Sequence, residues 1–489
     1  MFKPRNSCRN CLFLLITLAI LILSVERSLA TAKPQVYEVQ PGKNLTYLEV
    51  STCFSTDPPS HLYANGQLAP EALQWMHYQQ KDMQQELVAN GRSIDLTAIT
   101  SGDCLSYRVN LEGLSAWHRW QGHGVADDVI LTNPDDWLWL PHDNNANIVI
   151  RFKLPPDMEV SVPWQSVSGK HDSQAYSFER RNPDWDSRVA IGRISRFDLT
   201  QTPTPLRVAV LSGEPVVNID AIRDWISSGI QALDTLHADQ SPLPPVQVLV
   251  IPVDHADEPV PWAEVQRGGG DAIHLYIDQN REPAAFINDW TLVHELGHLL
   301  HPRLPQADAW LYEGLASYYQ NVLRARAGLL TPLTAWRKLQ AGFQRGMDET
   351  DNRQQLTRVA EAMHRNHRYM RIYWSGAAYF LEVDTRLRQI SDGRQTLDSV
   401  LARFRECCLP AKRRWHGEAF VRRLDALSGN TIFSETYQHY RRLRHFPPTD
   451  GLYRELGVSA RNGQLELNER APLAQLRRQI MAASSGTKR

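Results

Sequence analysis

Residues 294–319 read HELGHLLHPRLPQADAWLYEGLASYY, and no other stretch restricts the fold of this chain so strongly. His294 and His298 stand one helical turn apart, so their imidazoles share nearly one face and can hold one ion between them. Glu295 follows the first histidine and can lean over that ion from the side, where a water would be bound. Pro302 and the loop Arg303-Leu304-Pro305-Gln306 end this helix, because proline cannot continue it and biases its neighbour to extended geometry. Asp308 reads as the N-cap of the next helix. His298 before the bend and Glu313 after the cap both stand roughly 6–8 Å from the turn, at about 1.5 Å per residue. In an antiparallel pair that is matching height, so Glu313 can be the third ligand. One zinc ion per chain with an open fourth position for water is what distinguishes a catalytic site from a closed structural one. Polar punctuation on two ordinary amphipathic helices is the alternative. The flank Ile287, Trp290, Val293, Leu296 and Leu299 marks a buried helix, and a third carboxylate in register makes coincidence rarer. His301 points away from the ligand face and reads as a helix-end residue.

At 489 residues the chain is too long for one ordinary core, and two or three domains are expected. Lys3, Arg5 and Arg9 precede an apolar run from Cys11 to Val25, and small residues follow, with cleavage sites after Ala30 or Ala32. This predicts a secretory signal over 1–32 and a periplasmic or secreted protein, with an uncleaved anchor as the alternative. Without the signal, Cys53, Cys104, Cys407 and Cys408 remain. Cys53 and Cys104 could bridge in an oxidising compartment, whereas the adjacent pair is expected reduced or buried. The formal net charge of −1 gives no field suited to nucleic acid. Residues 401–446 depart from that balance, with ten Lys/Arg against four Asp/Glu. Such a stretch is a solvated helix face or a weak contact with an anionic surface.

From 33 to 212 short alternating runs such as TYLEVSTCF, NIVIRFKL and LRVAVL are cut by Pro, Gly, Asn and Asp. They predict a β-rich, sandwich-like domain with a helical insertion near 69–90 and DDWLWLP (135–141) in its core. Over 213–445 the pattern changes. Ile219, Ile222, Ile226, Ile230 and Leu233 mark a helix, VQVLVIPV (246–253) and DAIHLYI (271–277) are strands, and helices follow. A small sheet followed by helices is the α+β plan of a thermolysin-like catalytic domain. Residues 446–489 are a short tail with a strand-like GQLELN and a last helix.

HELGH, WLYEGLASYY and RIYWSGAAYFLEVDTRLRQISDGRQTLDSVL (371–401) together resemble the gluzincin zinc metallopeptidases. The nearest likeness is to the glycyl-aminopeptidase-like family, with aminopeptidase N a more distant relative. The resemblance covers roughly 213–445 and implies a zinc peptidase that cleaves peptide substrates, aminopeptidase-like in preference. In that family a tyrosine of a Tyr-x-x-Gly segment stabilises the oxyanion, here Tyr373 and Gly376. Glu295 would be the general base acting on a zinc-activated water. Aminopeptidases of this clan also bind the substrate's amine with a glutamate after a glycine-rich strand. The matching region RGGGDAIHLYI has no glutamate, which leaves Asp271 as a substitute or amine recognition lost. Gly269, Gly270 and the strand after them could instead pair with extended substrate. An endopeptidase, or an inactive peptide-binding scaffold, are the other readings.

Overall fold

The structure, a computed structural model, describes residues 34–482 except 113, 115–127, 143–146, 168–173, 179–186, 212–216, 237–239, 352 and 462–463. The expected signal segment lies outside the described residues.

The first part is sheet because its sequence alternates. In Tyr47–Cys53 the residues Leu48, Val50 and Thr52 are buried, and in Cys104–Asn110 Leu105, Tyr107 and Val109 are. That is the period of strands with one face on a core. The two strands are neighbours in an eight-stranded sheet, and the facing Cys53 and Cys104 form a disulfide. A three-stranded sheet of Glu159–Ser161, Val189–Gly192 and Val129–Thr132 shares its core, which Trp137, Trp139 and Trp164 fill. Residues 69–90 are not a helical insertion. After the short helix Ala69–Ala72 they form a hairpin, Leu73–Gln80 with Met83–Glu86. Met76 and Tyr78 alternate onto the core while the first strand pairs with Cys104–Asn110, and pairing outweighs local helix preference.

The second part starts before residue 213. Strands Ser195–Leu199, Leu206–Val210, Val246–Val253, Asp271–Asp278 and Trp262–Arg267 lie in that order in one five-stranded sheet. Alternation in LRVAVL identifies a strand but not the sheet it joins, so 195–210, expected in the first domain, belongs to the second. The sheet is covered on both faces. Val208, Val248, Val250, Ile273 and Leu275 belong to the helical core, whereas Ala209, Leu249, Ile251 and Tyr276 meet Val129 and Ala190 of the first part. Trp262–Arg267 runs antiparallel to Asp271–Asp278 and forms one edge.

The tail adds to the helical core. Its hairpin, Val458–Arg461 with Gln464–Leu467, and its helix Ala474–Met481 contribute Val458, Leu465, Ile480 and Met481. Arg326 donates to the Ile480 carbonyl at 2.9 Å. Cys407 and Cys408, expected to be reduced or buried, form a disulfide where the helix Leu397–Cys408 ends. The basic stretch is partly spent internally: the buried Arg405 guanidinium donates to the Ser241 carbonyl (2.9 Å) and to that of Pro203. No helix among the described residues is long and apolar enough to cross a membrane.

Candidate metal centre and its cleft

The motif helix, Thr291–Gly297, tightens into a 3-10 turn over His298–Leu300 before the chain extends at His301. Two longer helices pack beside it, Ala309–Arg326 carrying Glu313 and Tyr369–Ile390 carrying Tyr373. Glycines set their spacing. A Cβ on Gly297 would stand 3.0 Å from Ala316 Cα, and one on Gly314 2.3 Å from Gly376 Cα. Asp308 precedes the Glu313 helix but does not cap it through its side chain. Its carboxylate accepts from the Gly417 amide and the Tyr437 hydroxyl, both at 2.9 Å, and so ties the helix start to later helices.

Hydrogen bonds fix which ring nitrogens carry protons. His294 Nδ1 is 2.8 Å from Gln320 Oε1. An amide oxygen only accepts, so Nδ1 donates and Nε2 is turned toward Glu313. His301 Nδ1 donates likewise to the Pro302 carbonyl at 2.7 Å. Burial, with the nearby Arg267 charge, pushes the His301 pKa down to about 3, so this ring is neutral and its Nε2 accepts. His298 Nδ1, 3.0 Å away, must donate to it, and because His298 is held neutral its Nε2 is bare. His301 is therefore no bystander at a helix end; the extended backbone after the 3-10 turn swings its ring back under His298.

Both Nε2 atoms face one oxygen. Glu313 Oε2 is 3.2 Å from His294 Nε2 and 3.6 Å from His298 Nε2. His294 Nε2, His298 Nε2 and Glu313 Oε2 converge on one point, an arrangement that a proton on His294 or a cation relieves. Two imidazoles and a carboxylate are the donor set of a catalytic zinc site. Burial opposes charging of His294, yet the Glu313 hydrogen bond and the Glu295 and Glu313 charges raise its pKa. The site thus favours positive charge at this point, from a proton or a metal ion. His298 is held far below its ordinary range by burial and the neighbouring His294, His301 and Arg267, and stays neutral as a ligand must.

Glu295 also brings an oxygen within 4.8 Å of the ligand atoms of His294 and His298, so two carboxylates compete for the third position. Glu313 has the closer, shared approach. The Glu295 carboxyl is pushed up to about 7 by burial, with Glu313 and Glu264 adding to the rise and His294 opposing it. A group titrating there exchanges protons readily near neutrality. Tyr373 stacks on His294 at 5.9 Å between centroids. Burial, then the Glu313 and Glu295 charges, raise its pKa far above the ordinary value, so it remains an O–H donor.

These five residues line one cleft of about 710 Å³ whose opposite wall is the edge strand Trp262–Arg267. Gly269, Gly270 and Asp271 do not line it. They border a smaller cavity with Pro163 and Pro410. Gly269 has φ of +82°, and a Cβ on Gly270 would stand 1.9 Å from the Pro163 carbonyl. The glycines thus serve a turn and a close contact with the first domain. Asp271 pairs with Arg267 Nε at 3.3 Å, and Arg267 donates to the carbonyls of His298 (2.8 Å) and His301 (3.3 Å). Asp271 orients a clamp on the motif helix and is not placed to hold a substrate's amine.

Glu264 does line the cleft. It lies directly across the ladder from fully buried His274, whose Nδ1 is 3.2 Å from Glu264 Oε1. Burial pushes the Glu264 carboxyl up, but the His274 hydrogen bond and charge, with the Arg188 charge, prevail and keep it below the ordinary range. Sequence reasoning missed it by searching after the glycines. WAEVQR before them carried a signal, since a strand antiparallel to DAIHLYI sets a glutamate opposite a histidine.

A sequence model of the M61 glycyl aminopeptidase family matches residues 301–378, a span that holds Glu313, Tyr373 and Gly376 and starts just after HELGH. No curated protein matches. Among solved structures, an aminopeptidase N family protein from Idiomarina loihiensis superposes with TM-score 0.63 at 14% identity, over 87% of this chain and 78% of that one. An M1 zinc metallopeptidase from Deinococcus radiodurans gives TM-score 0.44 at 16% identity, over 85% and 95%, too slight a likeness to argue from. Over residues 301–378 the chain is thus similar to the glycyl aminopeptidase family, and its fold, sheet-rich in the first part and helical in the second, is similar to that of the aminopeptidase N family protein.

Proposed function

We propose that this chain is an exported zinc-dependent peptidase that acts at the free N-terminus of peptides. His294, His298 and Glu313 would hold one zinc ion, which when bound polarises the scissile carbonyl and the attacking water. Glu295 takes the proton from that water and returns it to the leaving amine, two tasks that a carboxyl near pH 7 can share. The Tyr373 hydroxyl donates to the oxygen that gains charge, a contribution on the order of 3 kcal/mol at comparable sites. Glu264, kept ionised beside His274, accepts the substrate's α-ammonium in a charge-assisted hydrogen bond of roughly 1.5–3 kcal/mol. Export is supported by the signal-like N-terminus and by the two disulfides. The observation that carries the reading is the convergence of His294, His298 and Glu313 on one point beside Glu295, in a cleft that also holds an ionised carboxylate.

Its test is digestion of matched peptides with free and acetylated N-termini. The free peptides should be trimmed from that end and the acetylated ones resist. Glu264→Gln should lower kcat/KM for free peptides by roughly 10- to 150-fold. Equal internal cleavage of both sets would make the protein an endopeptidase and leave the metal chemistry standing.

A further inference from the structure

Six large apolar side chains are exposed among the described residues, and two of them, Trp262 and Trp290, line the cleft that holds the metal centre. Trp262 keeps 58% of its surface in solvent and Trp290 38%. Met83, Val88, Met347 and Ile390 are not on its wall. An indole left in water beside a reaction site gains favourable burial whenever an apolar group covers it, in proportion to the area removed from water.

Position decides which part of a substrate that group belongs to. Side chains two apart on a strand project to the same face, so Trp262 and Glu264 share one, with α-carbons about 6.5–7 Å apart. Buried Tyr276 stands across the ladder from Trp262, as His274 does from Glu264, and the pairing holds both in register. When a peptide's α-ammonium rests on Glu264, its first side chain starts one bond beyond that nitrogen. A benzyl or isobutyl group then spans about one such step and can reach the indole. A hydrogen or a methyl falls short. Trp290 stands edge-on to His294 at 5.3 Å and extends the apolar wall toward the metal ligands.

We propose that Trp262 is the specificity-determining platform for the substrate's N-terminal side chain. Peptides that begin with an aromatic or large aliphatic residue are preferred over those that begin with glycine or alanine. This rests on Glu264 as the amine anchor, and it sets the chain apart from the glycine preference in the matched family's description.

The test measures kcat/KM for four peptides identical except for an N-terminal Phe, Leu, Ala or Gly, with an N-acetyl-Phe control, on the zinc-loaded protein. Phe and Leu should exceed Gly by roughly 10- to 100-fold, the range for filling or emptying a hydrophobic subsite. Trp262→Ala should bring the Phe/Gly ratio to within about 3-fold, and Trp262→Phe should restore part of it, since a phenyl ring replaces some of the same area. Glycine cut as well as phenylalanine by the parent protein, or an unchanged ratio in Trp262→Ala, would overturn the assignment while the peptidase reading stands. N-acetyl-Phe cut as fast as free Phe would remove the amine anchor and the preference with it. Cleavage of none of the five would contradict the peptidase reading itself.

Discussion

Each imidazole nitrogen proposed to hold zinc is presented by a hydrogen bond made on the far side of its own ring. Gln320 does this for His294, and His301, itself held by the Pro302 carbonyl, does it for His298. His301→Ala removes an orienting partner without touching the ligand set. Zinc affinity should fall by roughly 10- to 100-fold, the usual cost of losing such a partner, in a titration against a competing chelator; unchanged affinity would mean that His298 needs no such support. Glu295→Gln keeps size and polarity but removes the base, so zinc should stay while turnover drops by roughly 100-fold or more. Near-normal turnover would exclude Glu295 from proton transfer. His274 acts through Glu264, so His274→Ala should raise KM for free peptides more than it lowers kcat. His274→Asn, whose amide can replace the Nδ1–H donor, should recover most of the loss. Equal falls in kcat for both variants would point to general damage instead. The pairing of His294 with His298 was legible because helical period fixes it, and Glu313 because two helices joined by a short loop bring it to the same height. His301 and Glu264 were not, since a tight turn and a cross-strand partner decide their roles.

Three packed helices make the centre, and their contact surfaces are glycine. Gly314 and Gly376 leave no room for even one methyl group between the Glu313 and Tyr373 helices. Gly314→Ala must push those helices apart, and overpacking of this kind typically costs about 1–3 kcal/mol. The expected outcome is a thermal midpoint lowered by several degrees, with activity falling further because Tyr373 moves relative to Glu313. A fully stable, fully active variant would show that this contact does not set the spacing. Helices with a strong apolar period, such as Ile219–Asp234, could be read directly. The hairpin Leu73–Gln80/Met83–Glu86 could not, because its glutamines, methionines and Glu86 favour helix locally while its pairing with Cys104–Asn110 prevails. The boundary before Ser195 was hidden for a related reason: a strand's sequence shows that one face is buried but not which sheet it joins.

Over the whole molecule, the five-stranded sheet is packed between the two parts, and the cleft lies at its edge strand beside the motif helix. The proposed ligands lie on the motif helix with its 3-10 turn and on the helix after the following loop, so an ion bound there would tie the helical core together and would not bind the unfolded chain equally well. Zinc should therefore raise the thermal midpoint and a chelator lower it, with the shift growing logarithmically with free metal. A midpoint indifferent to both would show that zinc does not bind the folded protein preferentially. The most direct test is the zinc content of the purified protein after metal exchange, compared with Glu313→Gln and His298→Ala. About one zinc per chain should be found in the parent and clearly less in each variant. A parent that takes up no zinc, or variants that retain it undiminished, would contradict His294, His298 and Glu313 as its ligands.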